Sequence, residues 1–278
     1  MGVPTIRSIV KEVSKAIWTV MRGECMPELT KEKWEAIALG FEKRAQFPHC
    51  LGAVDGKHIR IIRQMHSGSM FYNHKEYYSV VLLAVVDSNY KFVYVNVGSY
   101  GKECDSSIFK ESTLWKSIDS KKLELPDEMC LLGSESPKMP YFFVGDEAFG
   151  LNKHSMRPFG GSHLTLKKRI FNYRLCRAQR YVECGFGILT NKLRIFHGPL
   201  NVEPEFAVEI VKASVLLHNF VRDRDGYLPE ETTTIIGLED LPRDNMARGG
   251  LEANSTRNIL SDYFLTNVGS VSWQLNKI

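Results

Sequence analysis

Three acidic residues of this chain stand where carboxylates can gather. Asp55 ends the apolar run of CLGAVDGKHIRI, Asp146 ends that of YFFVGDEAFG, and Glu183 lies within RAQRYVECGFGILTNKLRIF. Around Glu183 the apolar residues Val182, Phe186, Leu189 and Leu193 recur at spacings of four, three and four, which is one face of an α-helix. Beside that stripe Arg177, Arg180 and Glu183 follow one another every third residue. A carboxylate at the edge of an apolar face is partly withdrawn from water and needs a cation or a donor beside it. Arg180 would serve in a plain helix ion pair. The other reading joins Glu183 to the two strand-end aspartates as a two-metal phosphoryl-transfer site. Magnesium takes hard oxygen ligands and keeps several waters, so a few carboxylates from different elements suffice to hold it. Two such ions can activate a water and stabilise the departing oxygen of a phosphodiester. Sequence spacing alone does not choose between these readings.

The elements that must position these residues follow from periodicity. PTIRSIVKEVSKAIWTVMRG places Ile6, Ile9, Val10, Val13, Ile17 and Met21 on one stripe, and Pro4 suits a helix start. A second helix is expected from Lys31 to Arg44 with Trp34, Ile37, Ala38 and Phe41 inward. FPHCLGAVDGKHIRII then reads as one strand or two joined near Gly56. EYYSVVLLAVVDSNYKFVYVNVGS reads as two strands about a turn at Asp87, Ser88 and Asn89. The unbroken apolar run Val80 to Val86 suits a central strand covered on both faces. Asp105 opens a short helix in DSSIFKESTLWKS and is placed to cap it. Tyr141 to Asp146 is a further buried strand, and residues 150–168 read as a loop. Two helices follow, the one carrying Glu183 and another from Glu205 to Arg222 with Phe206, Ile210, Val211, Val215, Leu216 and Phe220 inward. His218 is a packed residue of that helix. Residues 223–256 read as a polar linker before an amphipathic closing piece. The order predicts an α/β mixed sheet with helices on its faces. Its divisions are a small N-terminal helical segment (1–46), a main domain (47–222), and a linker with a C-terminal packing segment (223–278).

Composition bounds the class. Hydrophobic residues form 44% of the 278, enough for a real core, and the net charge of +4 is too mild to indicate a nucleic-acid ligand by itself. The six cysteines carry no C-x-x-C pair, which argues against a zinc module or a disulfide framework and fits a reducing compartment. No run of eighteen apolar residues is present, so no membrane span is expected. The N-terminus lacks a hydrophobic signal core.

Several motifs in order resemble the PIF/Harbinger group of DDE transposases and their domesticated nuclease-like relatives. They are GAVDGKHIRI, the block YYSVVLLAVVDSNYKFVYVNVGSYG, CDSSIF, YFFVGDEAF, RAQRYVECGFGILTNKLRIF with its following LHNF, and the closing DYFLTNVGSVSWQ. The resemblance implies an RNase H-like fold and a metal-binding triad of Asp55, Asp146 and Glu183. It further implies two divalent ions, Mg²⁺ or Mn²⁺, and cleavage of DNA by water to leave a 3′-hydroxyl. The family motif often written His-Asp-Ser has Cys104 at its first position here, and Asp105 is either a fourth acidic site residue or only a helix cap. Family members carry more chain ahead of the segment that PTIRSIVKEV resembles, including a helix-turn-helix-like region. Sequence-specific DNA binding is therefore not expected of this stretch alone.

Lys167, Lys168, Arg169, Arg174, Arg177 and Arg180 precede Glu183 closely and match a DNA backbone, or else form a solvated helix face. The expected partners are DNA and, by the resemblance, a Myb/SANT-like protein that supplies targeting and nuclear import. The chain would then be nuclear with that partner and cytoplasmic without it. A rival reading from another class is a catalytically silent DNA- or protein-binding scaffold that keeps the fold. A hydrolase of small phosphate esters ranks last for want of a nucleotide-cradling glycine loop.

Overall fold

The structure is a computed structural model that describes residues 2–63, 69–226 and 250–278. The expected linker falls largely on residues 227–249 and so lies outside the described residues. At the centre is a five-stranded sheet of order β3-β2-β1-β4-β5. Strand β1 (Cys50–Arg60) runs antiparallel to β2 (Ser79–Val86), which pairs antiparallel with β3 (Phe92–Tyr100). On its other side β1 runs parallel to β4 (Phe142–Val144), which pairs parallel with β5 (Ser155–Met156). The CLGAVDGKHIRI region is thus a single strand with no break at Gly56. The β2–β3 turn is held by Asp87, whose Oδ1 accepts the Asn89 and Lys91 amides at 2.7 and 2.9 Å. This mixed sheet with helices on both faces is the RNase H-like α/β architecture expected from the sequence.

Every residue of β2 is buried, because its two faces pack on different helices. Ala84 and Val86 join a core with Phe171, Leu175, Val182 and Phe186 of the long helix α5 (Leu166–Lys192). Val81, Leu83 and Val85 join another with Ile108 and Phe109 of α3 (Asp105–Glu111) and Leu114 of α4 (Thr113–Asp119). Each fully buried Val or Leu contributes roughly 1.5–3 kcal/mol of transfer free energy, so this strand fixes the sheet against both layers. Helix α2 (Lys31–Ala45) closes the far side, with Trp34 edge-on to Phe143 at 5.5 Å. Helix α6 (Pro204–Asp225) buries Phe206, Ile210, Val211, Val215 and Leu216, and His218 Nε2 lies 2.7 Å from the Tyr90 carbonyl as a packed residue.

Three expectations need correction. The apolar stripe of α1 (Val3–Cys25) is not covered along its length: Ile6, Ile9, Val10 and Val13 are 42–50% exposed, while Ile17 and Met21 are half-buried. Helix α1 docks on α6 with Ser14 and Cys25 buried and Ile17, Trp18 and Met21 half-buried, so only the second half of the expected stripe is covered, and Trp18 lies under Arg22 and Lys212. One supporting helix covers only part of the stripe. The loop at 150–168 contains the two-residue β5 and the first turn of α5, both too short or too polar for a periodic signal. Helix α7 (Leu251–Tyr263) begins inside the expected linker and packs on α5 through Leu260 and Phe264, which are fully buried.

Candidate active site

The site forms where β1, β4, α3 and α5 meet. Ala53 of β1 pairs with Val144 of β4 in parallel register. Two residues further along each chain come Asp55 and Asp146, so both aspartates emerge at the same level of the sheet, one side chain per strand. Asp55 is half-buried at the centre of the sheet, opposite Ala84 of β2. Burial lifts its carboxyl to about 7; the Gly56 amide opposes the lift, and the charges of Asp146, Asp105 and Glu183 add to it. Asp146 follows β4 in a tight turn in which its Oδ1 accepts the Ala148 amide at 2.8 Å. It stays open to solvent, and its carboxyl is raised by the surrounding protein mass against those turn amides.

Asp105 does not cap α3. Cys104 is the N-cap residue, no side-chain capping bond forms, and Asp105 sits in the first turn. Its carboxylate instead lies flat over Gly56, so close that a side chain at position 56 would overlap it. Glycine is thus required beside Asp55 to let this fourth carboxylate approach. Burial and then the charge of Asp146 raise the Asp105 carboxyl, while His74 and Lys75 offset part of the rise.

Glu183 reaches the group from α5, exposed on its outer side. The helix is pinned one turn earlier by Gln179, a buried residue whose Nε2 donates to the Val54 carbonyl at 3.2 Å, next to Asp55. The other amide atom, Gln179 Oε1, is buried without a partner. Cys176 lies a further turn back, its thiol pushed up to about 11 by burial first and by Glu183 second, so it stays protonated. Sequence reading overlooked Gln179 and Cys176, although their spacing from Glu183 (four and seven residues) put them on its helical face.

The helix ion pair does not form: Arg180 makes no salt bridge to Glu183, and none of Asp55, Asp105, Asp146 and Glu183 has one among the described residues. Four crowded carboxylates in no salt bridge, offset at Asp105 by His74 and Lys75, are what a hard divalent ion would neutralise. Among the described residues no three His, Cys, Asp or Glu side chains already enclose an ion. The donor set, all oxygen and partly open, with the orphaned Gln179 Oε1 at its edge, therefore suits a cation that keeps waters of its own.

The basic residues expected near the site divide. Arg174 is withdrawn from the DNA-contact set: it is 1% exposed and donates to the Gly269 carbonyl at 3.2 Å, to Gln274 Oε1 at 3.0 Å and to the Gln46 carbonyl. Its guanidinium also lies over the Phe264 ring. Arg177 donates to Gln46 Oε1 at 2.8 Å and stacks on Trp273, and Lys167 pairs with Asp262 at 2.5 Å. These interactions tie down the C-terminal segment. Lys168 rests over the Phe159 ring, while Arg169 stays exposed and Arg180 half-exposed without a carboxylate partner among the described residues.

Asp55 thus lies midway along β1 rather than at its end as the sequence suggested, and only Asp146 follows a strand end; with Glu183 on α5 beside them, the mixed sheet of this order defines the class of RNase H-like folds. Residues 54–219 match the family model described as DDE superfamily endonuclease, and the chain belongs to that family. The match bears out the resemblance read from the motifs. The chain is also 27% identical over 196 residues to "Protein ALP1-like" of Arabidopsis thaliana, an alignment covering 69% of this chain and 48% of that protein. It thus spans about half the length of that curated relative. No solved structure matches. No helix among the described residues is long and apolar enough to cross a membrane.

Proposed function

We propose that this protein is a Mg²⁺- or Mn²⁺-dependent DNA endonuclease or transposase of the DDE type. The observation that carries the reading is the convergence of four carboxylates, none of them in a salt bridge among the described residues. Asp55, Asp146 and Glu183 would hold two cations between them, and Asp105, seated over Gly56, would complete the ring or orient a water of the ions' shells. Bound there, the cations would supply a polarised water and charge neutralisation at a phosphodiester. The protein's own residues hold the geometry: the sheet fixes both aspartates, and Gln179 locks α5 so that Glu183 faces them. Asp55, whose carboxyl burial raises to about 7, would give up its proton where cations are held. Oxygen from water bonds to phosphorus, the bond to the 3′-oxygen breaks, and the strand ends as a 3′-hydroxyl and a 5′-phosphate. In a transposase that hydroxyl would then attack target DNA. Arg169 and Arg180 would contact phosphates beside the site. Targeting and nuclear import are assigned to a separate Myb/SANT-like protein, on the support of the sequence resemblance.

Nicking of supercoiled plasmid tests this. Cleavage in Mg²⁺ or Mn²⁺ that is lost with chelator and in Asp146→Asn is expected. A wild-type chain that never cuts, even with the Myb/SANT-like partner and terminal-repeat DNA supplied, would leave the silent scaffold as the function.

A further inference from the structure

Beyond β1 the chain makes a loop, described from residue 69, that packs beside the carboxylates on the sheet face opposite α5. It is built around one buried side chain, Asn73, whose Nδ2 donates to Ser79 Oγ at 2.9 Å. Asn73 Oδ1 accepts the amides of Lys75 and Tyr77 at 2.9 and 3.3 Å, and the Asn73 amide donates to the Tyr77 carbonyl at 3.0 Å. Asparagine is well suited to fold the backbone around its own amide in this way. Ser79 Oγ also meets His58 Nδ1 at 2.9 Å, which fixes the loop to β1 three residues past Asp55. The tip is therefore rigid, and its side chains His74 and Lys75 point outward, exposed.

The same face of β1 continues outward. The His58 ring lies 5.5 Å from that of His74 and 6.3 Å from that of Tyr77. The Arg60 guanidinium is held over the Tyr77 ring at 4.1 Å and is itself exposed. Neither Arg60 nor Lys75 forms a salt bridge among the described residues. His74 and Lys75 offset the charge of Asp105 without pairing to it, and Arg60 rests on the Tyr77 ring, so this firmly held loop presents cations whose charge no salt bridge among the described residues satisfies. A strand rises about 3.3 Å per residue, so Asp55 to Arg60 spans about 16 Å. DNA rises about 3.4 Å per nucleotide along one strand, so that span corresponds to about five nucleotides.

We infer that Arg60, His74 and Lys75, braced by Asn73 and Tyr77, form a phosphate-binding ridge that holds the DNA strand within about five nucleotides of the cleavage position, on the side of the carboxylates away from α5. This rests on the reading of the protein as a DNA endonuclease. The ridge and the α5 cations Arg169 and Arg180 grip the backbone from two sides, leaving the carboxylates between them. Arg60 and Lys75 supply charge, and His74 supplies a ring N–H donor.

The test is DNA binding by the full chain in chelator, monitored by fluorescence anisotropy of a labelled duplex across a salt series. For Arg60→Ala/Lys75→Ala the affinity falls, and the slope of log K against log salt shrinks by about two, one for each phosphate no longer neutralised. Lys75→Ala alone, at an exposed loop tip, shrinks it by about one with an unchanged unfolding midpoint. If these variants keep the wild-type affinity and slope while Arg169→Ala/Arg180→Ala loses them, the ridge lies outside the interface and the inference fails with the nuclease reading intact. A wild-type chain that binds no DNA overturns both.

Discussion

Arg174 and Glu183 share helix α5, and the protein treats them in opposite ways. Arg174 is sealed in, with carbonyl and amide oxygens around its guanidinium and Phe264 beneath it. Glu183 sits in the open, three residues from an arginine that does not pair with it, and its charge adds to the lift on Asp55. A buried charge met by three oxygens serves architecture, since each bond it loses leaves a buried group unsatisfied. A charge left unmatched among like charges works against folding, and its retention points to a ligand absent from the chain itself. The C-terminal clamp and the acidic site are thus readable from the partners of their charges rather than from residue type.

The largest effect that sharpens this contrast is expected from Asp146→Asn. It should lower metal-dependent cleavage by at least about 100-fold, beyond what losing an outer-shell partner costs, while leaving the denaturation midpoint near wild type. Cleavage at the wild-type rate would remove Asp146 from the site. Next comes Arg174→Ala, expected to cost roughly 3 kcal/mol of stability in a denaturant titration, because it orphans acceptors that now receive charged donors. An unchanged midpoint would break the clamp side of the comparison.

The third effect concerns pH in metal-free protein. The folded chain holds a proton on Asp55 up to about pH 7, whereas the unfolded carboxyl releases it near its ordinary value of 3.8. Between those values the folded state binds more protons, so this residue's contribution makes stability fall as pH rises, with the full loss present above 7. Asp55→Asn should therefore raise the melting temperature at pH 7.5 and flatten its decline from pH 4 to 7. A wild-type melting curve with no such component beyond that of the variant would contradict the crowding at Asp55. The smallest effect is Arg180→Ala: stability within about 0.5 kcal/mol of wild type, and a salt slope for DNA binding reduced by about one. Loss of stability instead would return Arg180 to the architectural group with Arg174.

How much of this was legible in the sequence depended on range. Asp55, Asp146 and Glu183 each end or edge a strong apolar pattern, and the all-apolar run of β2 announced a strand covered twice. Those signals are local and survive without a structure. The fate of Arg174 was not legible, because its acceptors at Gln46, Gly269 and Gln274 are remote in sequence. Nor was the exposed first half of the α1 stripe, since periodicity shows that a helix has an apolar face but not how much of it a neighbour covers. Asp105 was undecided between cap and site for a related reason: only the absence of a side chain at Gly56, remote in sequence on β1, reveals where its carboxylate rests.

The most direct test is calorimetric titration of Mn²⁺ into the metal-free chain beside Asp146→Asn at pH 7.5. Saturable binding of two ions by the wild type, with proton release and with at least one ion lost in the variant, is the expected result. Equal, non-saturating heats for the two proteins would show that the unmatched carboxylates are not a cation site and would contradict the account.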